Sequence, residues 1–105
     1  QNNTHMEKVA CIKQRLIKLK ENLDTIQSDF SKFSNTIELE SIPSKDGIIF
    51  MEIANEISVG TLSDKLEYLL SNIKGTKEIV PLNEEVAKLS HRIEIQLDLL
   101  NKYLH

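Results

Sequence analysis

The side chains of this sequence that could carry out chemistry are few and widely separated. The three histidines, His5, His91 and His105, lie far apart, and two of them lie near the chain ends. Zinc sites hold His, Cys and carboxylate ligands at short, regular spacings, and no set in this sequence has such a spacing. The sequence therefore predicts no metal site, and His91 is interpreted as a surface or boundary residue of a helix.

The sequence also gives little evidence for a catalytic nucleophile or a catalytic acid–base pair. The chain has three glycines, and they form no phosphate-binding loop. Ser58 and Ser63 have no base close to them in the sequence. Glu84 and Glu85 could form a carboxylate pair, but acids in the first turn of a helix explain them fully. We therefore expect no catalytic residues, no cofactor and no small-molecule substrate, and a protein that is not an enzyme.

The charge and the single cysteine restrict the partners and the compartment. The net charge of −3 gives no footprint for nucleic acid. A basic run, Lys13, Arg15, Lys18 and Lys20, is interpreted as the solvated flank of a helix. Cys11 has no second cysteine to pair with, which suits a reducing compartment. We therefore expect an intracellular, cytoplasmic protein without a nucleic-acid partner.

Membrane insertion is not expected either. A membrane-spanning helix needs about 20 consecutive apolar residues, and no run in this sequence approaches that length.

The elements that would position any functional side chain are organised around one apolar stripe. Between residues 9 and 37 an apolar residue recurs at alternating spacings of three and four, without interruption. A repeat of 3.5 residues over about four heptads is typical of a coiled coil. The stripe comprises Val9, Ile12, Leu16, Leu19, Leu23, Ile26, Phe30, Phe33 and Ile37. We interpret these nine residues as the interface of a homodimer.

The length of the predicted first helix supports a homodimer, whereas the charges beside the stripe oppose it. A helix over residues 6–36 would be about 45 Å long at ~1.5 Å per residue, longer than a compact domain of this size can cover. In a parallel homodimer Lys8 would face the partner's Lys13, and Arg15 the partner's Lys20. Each exposed like-charge contact costs only a few tenths of a kcal/mol, whereas each buried Leu or Ile contributes about 1.5–3 kcal/mol.

The period changes after Ile37. Ile37, Leu39 and Ile42 alternate, residues 43–47 contain Pro and Gly in a turn-like order, and residues 48–53 are β-branched and aromatic. This pattern predicts a β-hairpin. The rival interpretation is a helix over residues 46–57, with Ile49, Phe50, Ile53 and Ile57 on one face, because short apolar runs fit either period.

Two helices are predicted in the last third of the chain. The first begins near Thr61, has Asp64 in its first turn and ends at Gly75. The second begins near Pro81 and presents an apolar face to its end. The predicted fold is thus mainly α with a small β component (α+β). Residues 1–37 form a coiled-coil helix, and residues 38–105 form a small domain with a hairpin and two helices.

Three functions of different kinds fit this pattern. The first is a non-enzymatic interaction module, a homodimeric scaffold or adaptor that also contacts other protein subunits. The second is a monomeric helical bundle whose last helix folds back antiparallel on the first, within a heteromeric assembly of the kinetochore or tethering type. The excess of basic residues before residue 37 and of acidic residues after it favours such packing. The third is a chaperone subunit with a layout like that of prefoldin.

The stripe over residues 9–37, followed by the body over residues 38–105, resembles one known architecture. It is similar to the dimerising C-terminal part of the adaptor subunit of the autophagy-specific class III phosphatidylinositol 3-kinase complex. The resemblance implies a homodimer whose further N-terminal part engages the kinase complex.

Overall fold

The computed structural model describes the backbone of residues 2–105 and the side chains of residues 4–38 and 40–105. The described chain is helical, without strands. Its α-helices are α1 (Asn2–Thr36), α2 (Ser44–Val59), α3 (Thr61–Asn72) and α4 (Ile79–Leu104), and short 3₁₀ turns occupy Leu39–Ser41 and Ile73–Gly75. The molecule measures 55 × 21 × 19 Å, and α1 spans nearly its whole length at ~1.5 Å per residue.

The predicted β-hairpin is wrong. Its first strand, residues 37–42, falls in the connection between α1 and α2, which contains the 3₁₀ turn Leu39–Ser41. The side chain of Leu39 lies outside the described residues. Its second strand lies within α2. The rival interpretation is confirmed in that this segment is helical: Phe50 and Ile53 are buried on one face of α2, and Ile49 is half-buried beside them. Ile57, the fourth residue expected on that face, is 36% exposed. The fold is therefore all-α.

The residues read as a turn form the start of α2 instead. Pro43 precedes the first helical residue with φ −57°, close to the value that its ring fixes and that a helix requires. Its carbonyl accepts hydrogen bonds from the backbone N–H groups of Asp46 and Gly47, at 3.0 and 2.9 Å. Proline and glycine therefore mark the start of a helix here. The apolar run over residues 48–53 fits both a strand and a helix, and its contacts with α1 and α4 favour the helix.

The fold is a bundle of three layers of helix that lie side by side: α1, the consecutive helices α2 and α3, and α4. Phe33 of α1 stacks on Phe50, Lys20 pairs with Glu67, and His5 contacts Thr76. Since the partner number rises as the α1 number falls, α2 and α3 run antiparallel to α1. By contrast, Asn83 lies beside Ile12 and His105 beside Asp29, so α4 runs parallel to α1.

This topology corrects one detail of the single-chain bundle hypothesis, which placed the last helix antiparallel to the first. Two short helices return along α1 before α4 begins, so α4 starts at the same end as α1. Residues 1–37 and 38–105 contribute to one continuous hydrophobic core. The predicted helices near Thr61 and Pro81 are confirmed, with α4 beginning at Ile79 and Pro81 in its first turn, where a missing N–H costs little.

The corner between α2 and α3 is closed by a glycine and a buried carboxylate. Gly60 has φ +78°, a left-handed conformation that favours glycine. Glu56, 7% exposed, accepts hydrogen bonds from the backbone N–H groups of Leu62 at 2.7 Å and Ser63 at 3.3 Å. These are donors that the first turn of a helix leaves without helical partners. The Glu56 side chain therefore caps α3 from the preceding helix.

Replacing Glu56 with glutamine or alanine is expected to destabilise the fold. The alanine variant leaves two N–H groups at a buried helix start without acceptors, which costs about 1–3 kcal/mol. Glutamine keeps one acceptor oxygen and is expected to cost less. Urea denaturation in dilute solution measures the change, and Glu52→Gln, at an exposed position of the same helix, serves as the control. Equal stability of Glu56→Ala and the wild type would contradict the capping role.

Candidate protein-interaction surface

The nine stripe residues lie in the core of their own chain. Val9, Phe30 and Ile37 are half-buried, and the other six, Ile12, Leu16, Leu19, Leu23, Ile26 and Phe33, are at most 5% exposed. α2, α3 and α4 cover them. A homodimer through this stripe would require α4 to leave these side chains, and that homodimer stays a prediction.

The side chains with chemical potential are dispersed along the bundle. His5 Nε2 lies 3.0 Å from the carbonyl oxygen of Thr76, and His105 Nε2 lies 3.8 Å from a carboxylate oxygen of Asp29. His91 and Cys11 are exposed. Glu85 forms an ion pair with Lys65. Among the described residues, no three His, Cys, Asp or Glu side chains come together as they would around a metal ion.

The outward face of α2 carries three large apolar side chains that are exposed to solvent. Ile48, Met51 and Val59 are 60%, 73% and 63% exposed, and we call these three residues the α2 surface. They lie opposite the side of α2 that buries Phe50 and Ile53. Surface helices ordinarily direct their large apolar residues to the core alone. The α2 surface is therefore the candidate functional site of this protein.

A groove between α1 and α2 extends this surface. It has a volume of about 180 Å³ and is lined on α1 by Phe30, Ser34 and Ile37, and on α2 by Gly47, Met51 and Ala54. None of these residues carries a charge. Met51 belongs both to the groove and to the α2 surface and so connects the groove with Ile48, whereas Val59 lies eight residues further along α2.

Charged side chains are rare at this site because its acids are turned inward. Of the four charged residues of α2, Asp46 and Glu56 are buried, which leaves Lys45 and Glu52 exposed. Asp29 of α1 is also buried, at 7% exposure. Depletion of charge at the centre of an apolar patch is typical of protein–protein interfaces.

Aromatic rings hold α2 in place beneath this surface. The rings of Phe33 and Phe50 stack with centroids 3.9 Å apart, and Tyr103 of α4 meets Phe50 edge-on at 5.4 Å. Such pairs contribute about 0.5–1.5 kcal/mol beyond the area that they bury. The floor of the groove is therefore a closely packed junction of α1, α2 and α4.

Asp46 adds a polar clamp at the same junction. Its carboxylate accepts a hydrogen bond of 2.7 Å from the Tyr103 hydroxyl and one of 3.2 Å from Lys102 Nζ. The Tyr103 hydrogen bond, with smaller contributions from Lys102 and Lys45, holds the pKa of the Asp46 carboxyl below its ordinary value, although burial opposes this shift. The same hydrogen bond raises the pKa of Tyr103.

The clamp is expected to make stability depend on acid pH. A carboxyl whose pKa is lower in the folded than in the unfolded chain stabilises the fold above the unfolded value, about 3.9 for Asp, and that contribution disappears as the pH falls through the folded value. The wild type should therefore lose more free energy of unfolding than Asp46→Asn when the pH falls from about 5 to 2. Urea denaturation across this range measures the difference.

The exposed Asp98→Asn serves as the control for this experiment, and its pH profile should follow that of the wild type. Tyr103→Phe, which removes the donor of the shortest hydrogen bond, should reduce the slope as Asp46→Asn does. Parallel profiles for Asp46→Asn and the wild type would show that the clamp does not contribute.

The sequence contained a signal for this site that the hairpin prediction concealed. If residues 46–57 are helical, Ile49, Phe50 and Ile53 share the inner face, and Ile48 and Met51 then project away from it. The groove had no comparable signal, because Phe30 and Ile37 on its α1 side were assigned to the coiled-coil stripe.

No family model, no curated protein and no solved structure matches this chain. The resemblance to the adaptor of the autophagy lipid-kinase complex therefore stays a prediction. Among the described residues, none of the helices has the length and apolar character needed to cross a membrane.

Proposed function

We propose that this protein is a non-enzymatic helical-bundle subunit that associates with protein through the α2 surface. The observation that carries this proposal is the apolar area that Ile48 and Met51 form with the groove beside them, which is lined by uncharged residues. Of the functions considered from the sequence, the proposal corresponds to the bundle subunit of a larger assembly, with the α1 stripe serving the protein's own core.

The energetics support association at this place. Leaving apolar side chains in water costs about 25 cal/mol for each Å² that a partner could cover. The inner face of α2 is already occupied by the core, and Ile48, Met51 and Val59 leave most of their surface in contact with water. Apolar area of this kind, rimmed by polar residues, is typical of interaction sites.

The packing beneath the site also supports the proposal. The stacked rings of Phe33 and Phe50 and the Asp46 clamp fix α2 on α1 and α4. A partner that binds a preformed surface loses less conformational freedom on binding than one that must order a flexible segment.

The test compares charge insertion at the site with charge insertion elsewhere. Ile48→Glu with Met51→Glu introduces two acids into the α2 surface. Tyr68→Glu with Val80→Glu introduces the same charges at positions of similar exposure, 65% and 69%, outside α2. Both double variants should retain wild-type helicity and melting temperature, because all four side chains are exposed.

Tagged wild type and both variants are isolated from cells that produce the protein, and each co-isolating protein is quantified, including an untagged copy of the chain itself. We expect the α2 variant to lose specific partners by about tenfold or more, which corresponds to 1.4 kcal/mol, and the control to retain them. Equal retention by the two variants would contradict the proposed function.

A further inference from the structure

On the outward face of α2, the order of polar and apolar residues is the same in both directions along the helix. Ser44, Ile48, Met51 and Asn55 are exposed and follow one another at spacings of four, three and four residues. This spacing is that of a helix–helix seam. Its order, polar, apolar, apolar, polar, is unchanged when the helix is reversed, so the face is complementary to itself in an antiparallel arrangement.

Superposing two copies in that arrangement matches each layer of the seam. Ile48 lies at the level of the partner's Met51, and Met51 at the level of the partner's Ile48. Ser44 lies at the level of the partner's Asn55 at each end of the contact. The apolar residues therefore meet in the middle, and the polar residues meet at the ends, where they remain hydrated.

The exposed charges of α2 are placed for the same arrangement. Lys45 and Glu52 are seven residues apart, so they lie on the same flank of the seam, one above the other. In an antiparallel pair, equal flanks of the two helices face each other. Lys45 then faces the partner's Glu52, and the two-fold axis repeats this ion pair once more.

The side chains on the opposite flank of the seam are small. Gly47 and Ala54, also seven residues apart, lie on it and border the groove against α1. In the antiparallel pair Gly47 faces the partner's Ala54, which allows the two backbones to approach closely. A parallel pair would instead place Lys45 and Glu52 opposite this small flank and leave both without a partner.

We propose that a second copy of this chain docks on α2, forming an antiparallel α2–α2 homodimer with two-fold symmetry. This inference rests on the proposed function and names the occupant of the site at Ile48 and Met51, whereas Val59, four residues beyond Asn55, lies outside the seam. The homodimer leaves the α1 stripe in the core of each chain. One helix pair buries less than the standard interface of about 1,600 Å², so the dimer should dissociate on dilution.

Sedimentation velocity of the purified chain over a range of concentrations tests the assembly. The mass should rise with concentration from 12.0 kDa to twice that value. Met51→Glu, which places an acid in the middle of the seam, should remain at 12.0 kDa throughout.

Charge exchange tests the geometry. Lys45→Glu alone and Glu52→Lys alone each replace two attractive contacts by two repulsive ones, and each should weaken the homodimer by about tenfold at low ionic strength. An equimolar mixture of the two variants restores both ion pairs across the interface and should dimerise like the wild type. The double exchange within one chain should also restore association, and the exposed Lys77→Glu serves as the charge-matched control.

A wild-type chain that stays at 12.0 kDa at the highest concentration would overturn the homodimer, as would a dimer that Met51→Glu leaves intact. Failure of the mixture to recover association would overturn the antiparallel pairing. If the chain is monomeric but the α2 double variant still loses partners in cells, the inference fails while the proposed function stands. If the α2 double variant also retains all its partners, both fail.

Discussion

Replacing Leu16, Leu19 and Leu23 together with alanine is expected to unfold the entire chain. The three side chains are at most 5% exposed and face α3 and α4. Each Leu→Ala replacement in a core costs about 2–5 kcal/mol, so the three together are comparable with the whole stability of a small protein, about 5–15 kcal/mol. Circular dichroism should show loss of helix over the full length.

This outcome differs from what a separate coiled coil would give. If residues 9–37 formed only an intermolecular seam, the triple variant would keep a partly folded body over residues 38–105. In the bundle, α4 packs against α1 more extensively than against α2 or α3, so the loss of the α1 contacts also releases α4. Protection of α4 amides from hydrogen exchange in the triple variant would contradict the shared core.

The single variant Leu16→Ala gives the quantitative form of this prediction. It should reduce the free energy of unfolding by about 2–5 kcal/mol in urea denaturation. Met6→Ala, on the same helix but 64% exposed, should change it by at most about 0.5 kcal/mol. Similar small effects of the two variants would show that the Leu16 site is not packed as described.

Replacing Gln96 with methionine is expected to stabilise the protein. Gln96 is 1% exposed, in the core-facing row of α4 between Ile93 and Leu100, and none of the described residues donates a hydrogen bond to its Oε1 atom. A buried polar atom without a partner costs about 1–3 kcal/mol. Methionine has a similar length and no such atom, so the free energy of unfolding should rise by about that amount.

The opposite replacement sharpens this prediction. Gln96→Glu introduces a carboxylate of nearly the same shape, and an uncompensated buried charge costs about 3–5 kcal/mol. At pH 7 the glutamate variant should therefore be much less stable than the wild type. Gln14→Met, at an exposed position of α1, is the control and should have little effect. A loss of stability in Gln96→Met would mean that the amide is satisfied in the folded protein.

The long-range periodicity of the chain was sufficient to predict its three longest apolar faces. The stripe in α1 and the faces of α3 and α4 each repeat at helical spacing over many residues. All three face the core, as the burial of Leu16, Leu66 and Ile93 shows. The hairpin prediction failed where the apolar run was short, because residues 48–53 fit both a strand and a helix, and tertiary contacts decided between them.

The candidate site was less accessible to sequence reasoning than the fold. Recognising the α2 surface requires knowing that Phe50 and Ile53 point inward, which leaves Ile48 and Met51 outside. The groove requires α1 and α2 to lie side by side. Neither fact follows from local pattern, because both depend on which helices become neighbours.

By itself the sequence determined that this protein has a continuous apolar stripe over residues 9–37, that helices begin near residues 61 and 81, and that side chains with chemical potential are dispersed. These properties are local, because propensity and periodicity act within a few turns of a helix. Only the tertiary structure decided what covers the stripe. A row of leucines has the same affinity for apolar surface whether that surface belongs to its own chain or to another, and here the other three helices are tethered close enough to cover the stripe.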